Sequence, residues 1–139
     1  MSEFAAIVLI LTPAGVPLVQ DPQKPAPHYW KLPGGTGKTS ETPKQCAIRE
    51  TREETGVILS ISDLKFLHKE DNGDHILYVY LSQLPETPKL LDKGDEREKT
   101  RIVPLNKVLS WQTADVPLLL PHHRKLVEQF VRALVKISG

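Results

Sequence analysis

The chain has 139 residues, 40% of them hydrophobic and 25% charged, ordinary values for a folded globular protein that exclude a disordered or fibrous class. Its 18 basic and 17 acidic side chains leave a net charge of +1, which excludes the broad cationic field that draws proteins to nucleic acid or anionic membrane. One cysteine, Cys46, excludes an internal disulfide and a cysteine-rich zinc cluster, and suits a reducing, cytoplasmic setting. The length predicts a single domain, residues 1–139, able to remove about two thirds of its surface from water.

Ala5 to Leu11 is a continuous apolar, β-favouring run. It follows Glu3 rather than a basic segment and is too short to cross a bilayer, so no membrane partner is expected and a buried strand is predicted. Pro13-Ala14-Gly15 then turns the chain into Val16-Pro17-Leu18-Val19. This pattern predicts an opening hairpin whose second strand, carrying a proline, lies at a sheet edge. Asp21 to Pro27 holds three prolines and no periodicity and reads as a loop, followed by a short strand over Tyr29 to Leu32 that ends at Pro33-Gly34-Gly35.

The stretch GGTGKTSE, residues 34–41, has the second half of a phosphate-binding P-loop in Gly37-Lys38-Thr39. The first glycine of that motif would fall on Leu32, and Pro43 separates Lys38 from the next helical pattern, whereas a P-loop lysine sits at the mouth of its helix. A polar glycine-rich turn is the better reading, with Lys38 as an exposed loop charge.

Thr42 is a fitting N-cap, Pro43 suits the first helical position, and Gly56 is a typical C-terminal stop. The intervening residues favour helix, so a helix is predicted over Pro43 to Thr55. Strands are expected over Val57 to Ile61, Leu64 to His68 and His75 to Ser82, the last two joined at Asn72-Gly73. Pro85 to Thr100 reads as a solvated loop, Arg101 to Pro104 as a strand, and Leu105 to Trp111 as a short helix. Pro121 to Ile137 places Leu126, Phe130, Leu134 and Ile137 on one stripe and predicts an amphipathic helix. Its outer Arg124, Lys125, Arg132 and Lys136 read as a solvated face.

On the first helix Glu50, Glu53 and Glu54 stand at i, i+3 and i+4, so three carboxylates share one face within a turn. Three like charges this close repel unless a cation sits among them. A bare acidic face is more often a solvated stripe, but Arg49, the glycine stretch before the helix and the flanking apolar strands favour a metal site. Hard oxygen donors without His or Cys point to Mg²⁺, with Mn²⁺ as the substitute. Arg49 at i, i+4 to Glu53 is suited to orienting a carboxylate.

These residues carry a resemblance. Gly35, Glu41, Arg49, Glu50, Glu53, Glu54 and Gly56, in the frame Gly-x5-Glu-x7-Arg-Glu-x-x-Glu-Glu-x-Gly over residues 35–57, match every fully fixed position of the signature of the Nudix hydrolases. At usual residue frequencies an accidental match at one start has odds on the order of one in a hundred million. One position departs, since the family has an apolar residue where this chain has Thr51. Its hydroxyl is expected to bond back to the preceding turn.

The resemblance implies a MutT-like α/β/α sandwich with a mixed β-sheet, hydrolysing a nucleoside diphosphate linked to another group X. It implies that Glu50 and Glu54 are mainly metal ligands and that Glu53 is a ligand that also serves as base. Arg49 is implied as an orienting group, Gly34 as a further ligand through its carbonyl, and Glu41 and Gly35 as supports. Glu96 and Glu98 are candidates for an additional acid or base found later in the chain in some members. No proline or tyrosine lies between 70 and 76, where ADP-ribose and dinucleoside polyphosphate types usually carry one, which leaves a nucleoside triphosphate, intact or damaged, favoured by elimination. The alternatives are an ADP-ribose or nucleotide-sugar hydrolase, and a module that senses a nucleotide without cleaving it. A nucleic-acid partner is not expected, and the assembly is expected to be a monomer or a homodimer.

Overall fold

The computed structural model describes residues 3–26, 28–109 and 119–138, with Leu109 and residues 133–138 described through their backbone alone. Strand β1, Glu3–Leu11, is the hub. Its alternating side chains divide between two apolar clusters: Ile7 and Leu9 enter one, and Ala6, Val8 and Ile10 enter the other. The period-2 geometry of a strand thereby gives the sheet two buried faces.

β1 lies in a four-stranded sheet of order β4-β1-β6-β5, where β4 is Gly34–Thr36, β5 is Lys65–Asp71 and β6 is His75–Gln83. β1 pairs antiparallel with β4 and parallel with β6, from Glu3 opposite His75 to Leu11 opposite Gln83. β5 and β6 pair antiparallel, with a bulge between Phe66 and His68. This is the mixed sheet that the resemblance implied. The turn at Asn72-Gly73 closes with Asn72 N–H donating to the His75 carbonyl at 2.9 Å and Gly73 at φ 93°.

Helix α1, Pro43–Thr55, covers one face, contributing Cys46 and Ala47 to the Ala6 cluster. Its ends follow the sequence signals. Thr42 and Gln45 form a reciprocal capping box, and Gly56 stops the helix at φ 81°, satisfying amides and carbonyls that a helix end leaves unpaired. Helices α2, Leu105–Leu109, and α3, Pro121–Ser138, lie on the other face, where Val108, Leu126, Val127 and Val131 join Leu9 and Val79. The result is a helix layer on each side of a sheet. On α3, Leu126 and Phe130 face the core as expected. Ser110, Trp111 and the side chains of Leu134, Lys136 and Ile137 lie outside the described residues.

Four expectations require correction. Thr12 and Gly15 do close a turn, yet β1 and β2, Val16–Gln20, do not pair as a hairpin. β2 crosses to a second sheet of order β3-β2-β7, with β3 at Trp30–Lys31 and β7 at Lys99–Val103. Pro17 therefore lies on a central strand, not an edge. It is tolerated because β3 pairs only with Val19 and Gln20, leaving Pro17 a strand partner only on the Ile102 side.

Val57 to Ile61 is not a strand. Val57 and Leu59 are buried and Ile58 is 81% exposed, so the alternation serves packing while the backbone passes without a ladder partner into a 3₁₀ turn, Ile61–Asp63. Gly34 and Gly35 belong to strand β4 rather than to a turn. Finally, 85–100 is not simply solvated. Leu91 N–H donates to the Thr55 carbonyl and Asp95 N–H to the Glu53 carbonyl, each at 2.9 Å, so this loop satisfies the C-terminal carbonyls of α1.

Candidate active site

The acidic face of α1 is graded in burial: the side chain of Glu54 is 5% exposed, that of Glu50 18% and that of Glu53 30%. Glu54 is the one of the three that hydrogen-bonds to β4. Glu54 Oε1 accepts the Gly34 N–H at 2.8 Å, and Lys31 Nζ stands 3.7 Å from Oε2. Burial raises the Glu54 pKa from 4.5 to about 7, with Glu50 and Glu98 adding to the rise and Lys31 and the Gly34 amide opposing it. Burial likewise raises Glu50, against Arg49.

Arg49 is the organising cation. Its Nε donates to Glu41 Oε2 at 2.6 Å and its Nη2 to Glu41 Oε1 at 3.0 Å, a two-pronged pairing of planar groups. Its Nη1 donates to Glu50 at 3.0 Å and to Glu53 at 3.2 Å, and its Nη2 also reaches the Thr36 carbonyl at 3.2 Å. The spacing to Glu53 expected from sequence is present, but Glu41 is the closer partner. Arg49 holds Glu41 well below the usual carboxylate range, mainly through that hydrogen bond. Glu41 Oε1 also accepts the Lys38 N–H at 2.9 Å, so it ties the 34–41 loop to the helix. Lys38 itself is exposed.

The glycines meet the carboxylates through lack of a side chain. A Cβ on Gly35 would lie 2.7 Å from the Glu50 carboxyl carbon, so the space a methyl would fill holds the acid instead. Gly34 has φ 150°, and a Cβ there would strike the Ala6 carbonyl. Glycine is required for this close approach of β4 to β1. The Gly35 carbonyl accepts the Cys46 thiol at 3.4 Å, so Cys46 is buried packing, its thiol pushed up to about 11 chiefly by burial.

Of the two later glutamates, Glu98 is buried and Glu96 exposed. Glu98 Oε1 accepts the Glu96 N–H at 2.9 Å, and its charge is felt by Glu54. Gly94 makes this possible, since a Cβ there would lie 2.6 Å from Glu98 Oε1 and 2.8 Å from the Glu54 carbonyl oxygen. Thr51 departs from expectation: it is fully buried, and its hydroxyl has no partner. Instead its carbonyl accepts the Thr55 hydroxyl at 2.6 Å.

Sequence reasoning missed Lys31 as a site residue. Its position within the run before Gly34 was the available signal, but its contact with Glu54 depends on how β3 and β4 are folded beside α1. Beside the acidic face an open groove of about 330 Å³ includes Lys24, Lys31, Gly34 and Gly35 in its wall.

Among the described residues no three His, Cys, Asp or Glu side chains form a ready cation cage, and Arg49 faces the oxygens of Glu41, Glu50 and Glu53. The donors are nonetheless all oxygen. Glu50 and Glu54 are buried enough to be pushed up in pKa, so their ionised forms lack full compensation. This chemistry fits a hard divalent cation.

A family model described as the NUDIX domain matches residues 1–130. A candidate 8-oxo-dGTP diphosphatase of Mycobacterium tuberculosis is 33% identical over 92 residues, covering 64% of this chain and 41% of that protein. An ADP-ribose pyrophosphatase of Methanocaldococcus jannaschii is 25% identical over 118 residues, covering 83% of this chain and 64% of that protein. The chain thus spans less than two thirds of either relative. The crystal structure of a MutT/nudix family protein from Enterococcus faecalis overlays with a TM-score of 0.73 at 21% identity, covering 96% of this chain and 62% of that one, a likeness of fold. Among the described residues no helix is long and apolar enough to cross a membrane.

Proposed function

This chain belongs to the Nudix family, and from that premise we propose that it is a metal-dependent pyrophosphohydrolase acting on a nucleoside diphosphate linked to a further group. The observation that carries the reading is the four-partner hold of Arg49. One guanidinium gathers Glu41, Glu50 and Glu53 beside the glycine strand, an arrangement that a merely solvated acidic stripe does not need. A sensing module without catalysis has no use for the full carboxylate set that this chain retains.

Glu50, Glu53 and Glu54, with the Gly34 carbonyl, would hold Mg²⁺, or Mn²⁺ in its place. Such an ion neutralises diphosphate charge and acidifies a bound water. Glu53, the most exposed of the three and held at one oxygen by Arg49, would accept a proton from the attacking water. As water oxygen bonds to phosphorus, the anhydride P–O bond breaks and the leaving phosphate departs. Glu41 and Arg49 keep the carboxylates aligned, and Lys31 offers a cation beside Glu54 and the groove. Glu98, buried beside the end of α1, is the later glutamate suited to an accessory acid or base role, and Glu96 is not.

A nucleoside triphosphate, intact or oxidised, is the substrate favoured by the absence of the 70–76 markers and by likeness to the candidate 8-oxo-dGTP diphosphatase. Likeness to the ADP-ribose pyrophosphatase keeps ADP-ribose as the competing substrate. The test is incubation of purified protein with Mg²⁺ and a panel of triphosphates, oxidised triphosphates, ADP-ribose and nucleotide sugars, following pyrophosphate release and, after a phosphatase, the phosphate freed from phosphomonoester products. Turnover of a triphosphate supports the reading, turnover of ADP-ribose alone selects the competitor, and binding without turnover supports the sensor.

A further inference from the structure

The groove beside the acidic face is walled at one place by Leu120, just before α3, and by His122 and His123 of its first turn. His123 is 7% exposed and takes no part in the carboxylate network. Its Nδ1 accepts the Leu32 N–H at 3.1 Å. A ring nitrogen that accepts an N–H carries no proton, so the imidazole is neutral and its proton resides on Nε2. Burial agrees, lowering its pKa to about 3, with Lys31 and His122 acting in the same direction. Nε2 has no partner among the described residues.

His123 therefore contributes to the groove one N–H donor, uncharged and fixed in direction by Leu32. The same wall carries apolar Ile7, Leu77 and Leu120 and the cations Lys24 and Lys31. An apolar floor with a single fixed neutral donor suits a planar, uncharged ring that has an acceptor on its edge. The lysines, together with a cation that the acidic face beyond Gly34 would hold, suit the phosphates of the same molecule. Once a ligand covers the groove, a donor facing another donor loses its water without a replacement, so an acceptor at that point is selected over another donor.

Building on the hydrolase reading, we propose that His123 determines base specificity, its Nε2–H donating to an exocyclic carbonyl of the nucleotide. The ring-edge chemistry then separates the bases. Guanine and uracil present a carbonyl oxygen where adenine and cytosine present an amino donor, and the carbonyl bases are the preferred class.

The test compares kcat and KM for GTP, UTP, ATP and CTP with Mg²⁺ in the wild type, His123→Gln and His123→Phe. The wild type is expected to favour GTP and UTP by about tenfold or more, the scale of one good hydrogen bond. His123→Phe is expected to lose that preference, mainly through KM for the carbonyl bases, while ATP and CTP change by about twofold or less. His123→Gln, which retains an acceptor for Leu32 and a donor for the base, is expected to keep part of the preference. Loss of the Leu32 bond alone would depress all four substrates together, and that uniform loss would overturn the proposal. So would a wild type indifferent to the base, a result that needs no variant to fold. Thermal-shift binding of the four nucleoside monophosphates without metal separates the two readings. Base-selective binding without hydrolysis of any nucleotide removes the hydrolase and leaves the His123 assignment standing, whereas hydrolysis without base-selective binding does the reverse.

Discussion

The carboxyl of Glu54 on α1 accepts the amide N–H of Gly34 on β4 at 2.8 Å, joining the acidic helix to the glycine strand through a buried charge-capable group. That bond favours the ionised carboxyl while burial disfavours it, and burial wins, raising the pKa from 4.5 to about 7.

A carboxyl with a raised folded pKa binds its proton more tightly in the folded state, so its contribution is complete below about 4.5 and lost as pH rises through about 7. Metal-free wild type should therefore lose stability relative to Glu54→Gln between pH 4.5 and 8, by on the order of 3 kcal/mol. Comparison with the variant cancels the opposite effect of buried His123. Urea unfolding of both proteins across this range measures the difference, and Mg²⁺ is expected to shrink it. A pH-independent difference would show that Glu54 is not strained by burial.

Turnover should respond strongly to the carboxyls of Glu53 and Glu54. Glu53→Gln and Glu54→Gln are each expected to lower kcat by at least about two orders of magnitude, the scale of lost general-base or electrostatic assistance. Full activity in both variants on the best substrate would overturn the assigned roles.

Gly35→Ala and Gly34→Ala separate function from folding. The methyl on Gly35 meets the far end of the flexible Glu50 side chain, which can move, so stability should fall by less than about 1 kcal/mol. Displacing Glu50 by about 1 Å can cost roughly 100-fold in rate. At Gly34 the methyl meets the β1 backbone at φ 150°, and soluble yield and melting temperature should fall sharply. Activity assays beside thermal melts distinguish the two.

Thr51→Val should stabilise the protein by about 1 kcal/mol, because it replaces a buried hydroxyl that has no partner with a methyl of similar shape. A lower melting temperature would mean that the hydroxyl is satisfied in solution.

Glu98→Gln should lower kcat by about tenfold or more, within the range of general acid–base contributions, while Glu96→Gln leaves it unchanged. Equal effects would remove the distinction drawn from their burial.

Helix α1 was legible to the residue before folding, from its N-cap Thr42 to the stop glycine Gly56, because those signals act over four or five neighbours and are satisfied within the helix. So were the shared face of Glu50, Glu53 and Glu54 and the support of Arg49, since helical spacing alone brings them within reach. That Val57 to Ile61 stays outside any sheet, and that β2 leaves β1 for a second one, was settled by long-range folding, because strand pairing depends on partners far along the chain. The same long-range folding decided that Glu54 is the buried acid beside Lys31, that Glu98 rather than Glu96 turns inward, and that His123 meets Leu32 from a distance of 91 residues. Burial is a property of what packs opposite a side chain, and no local pattern states it.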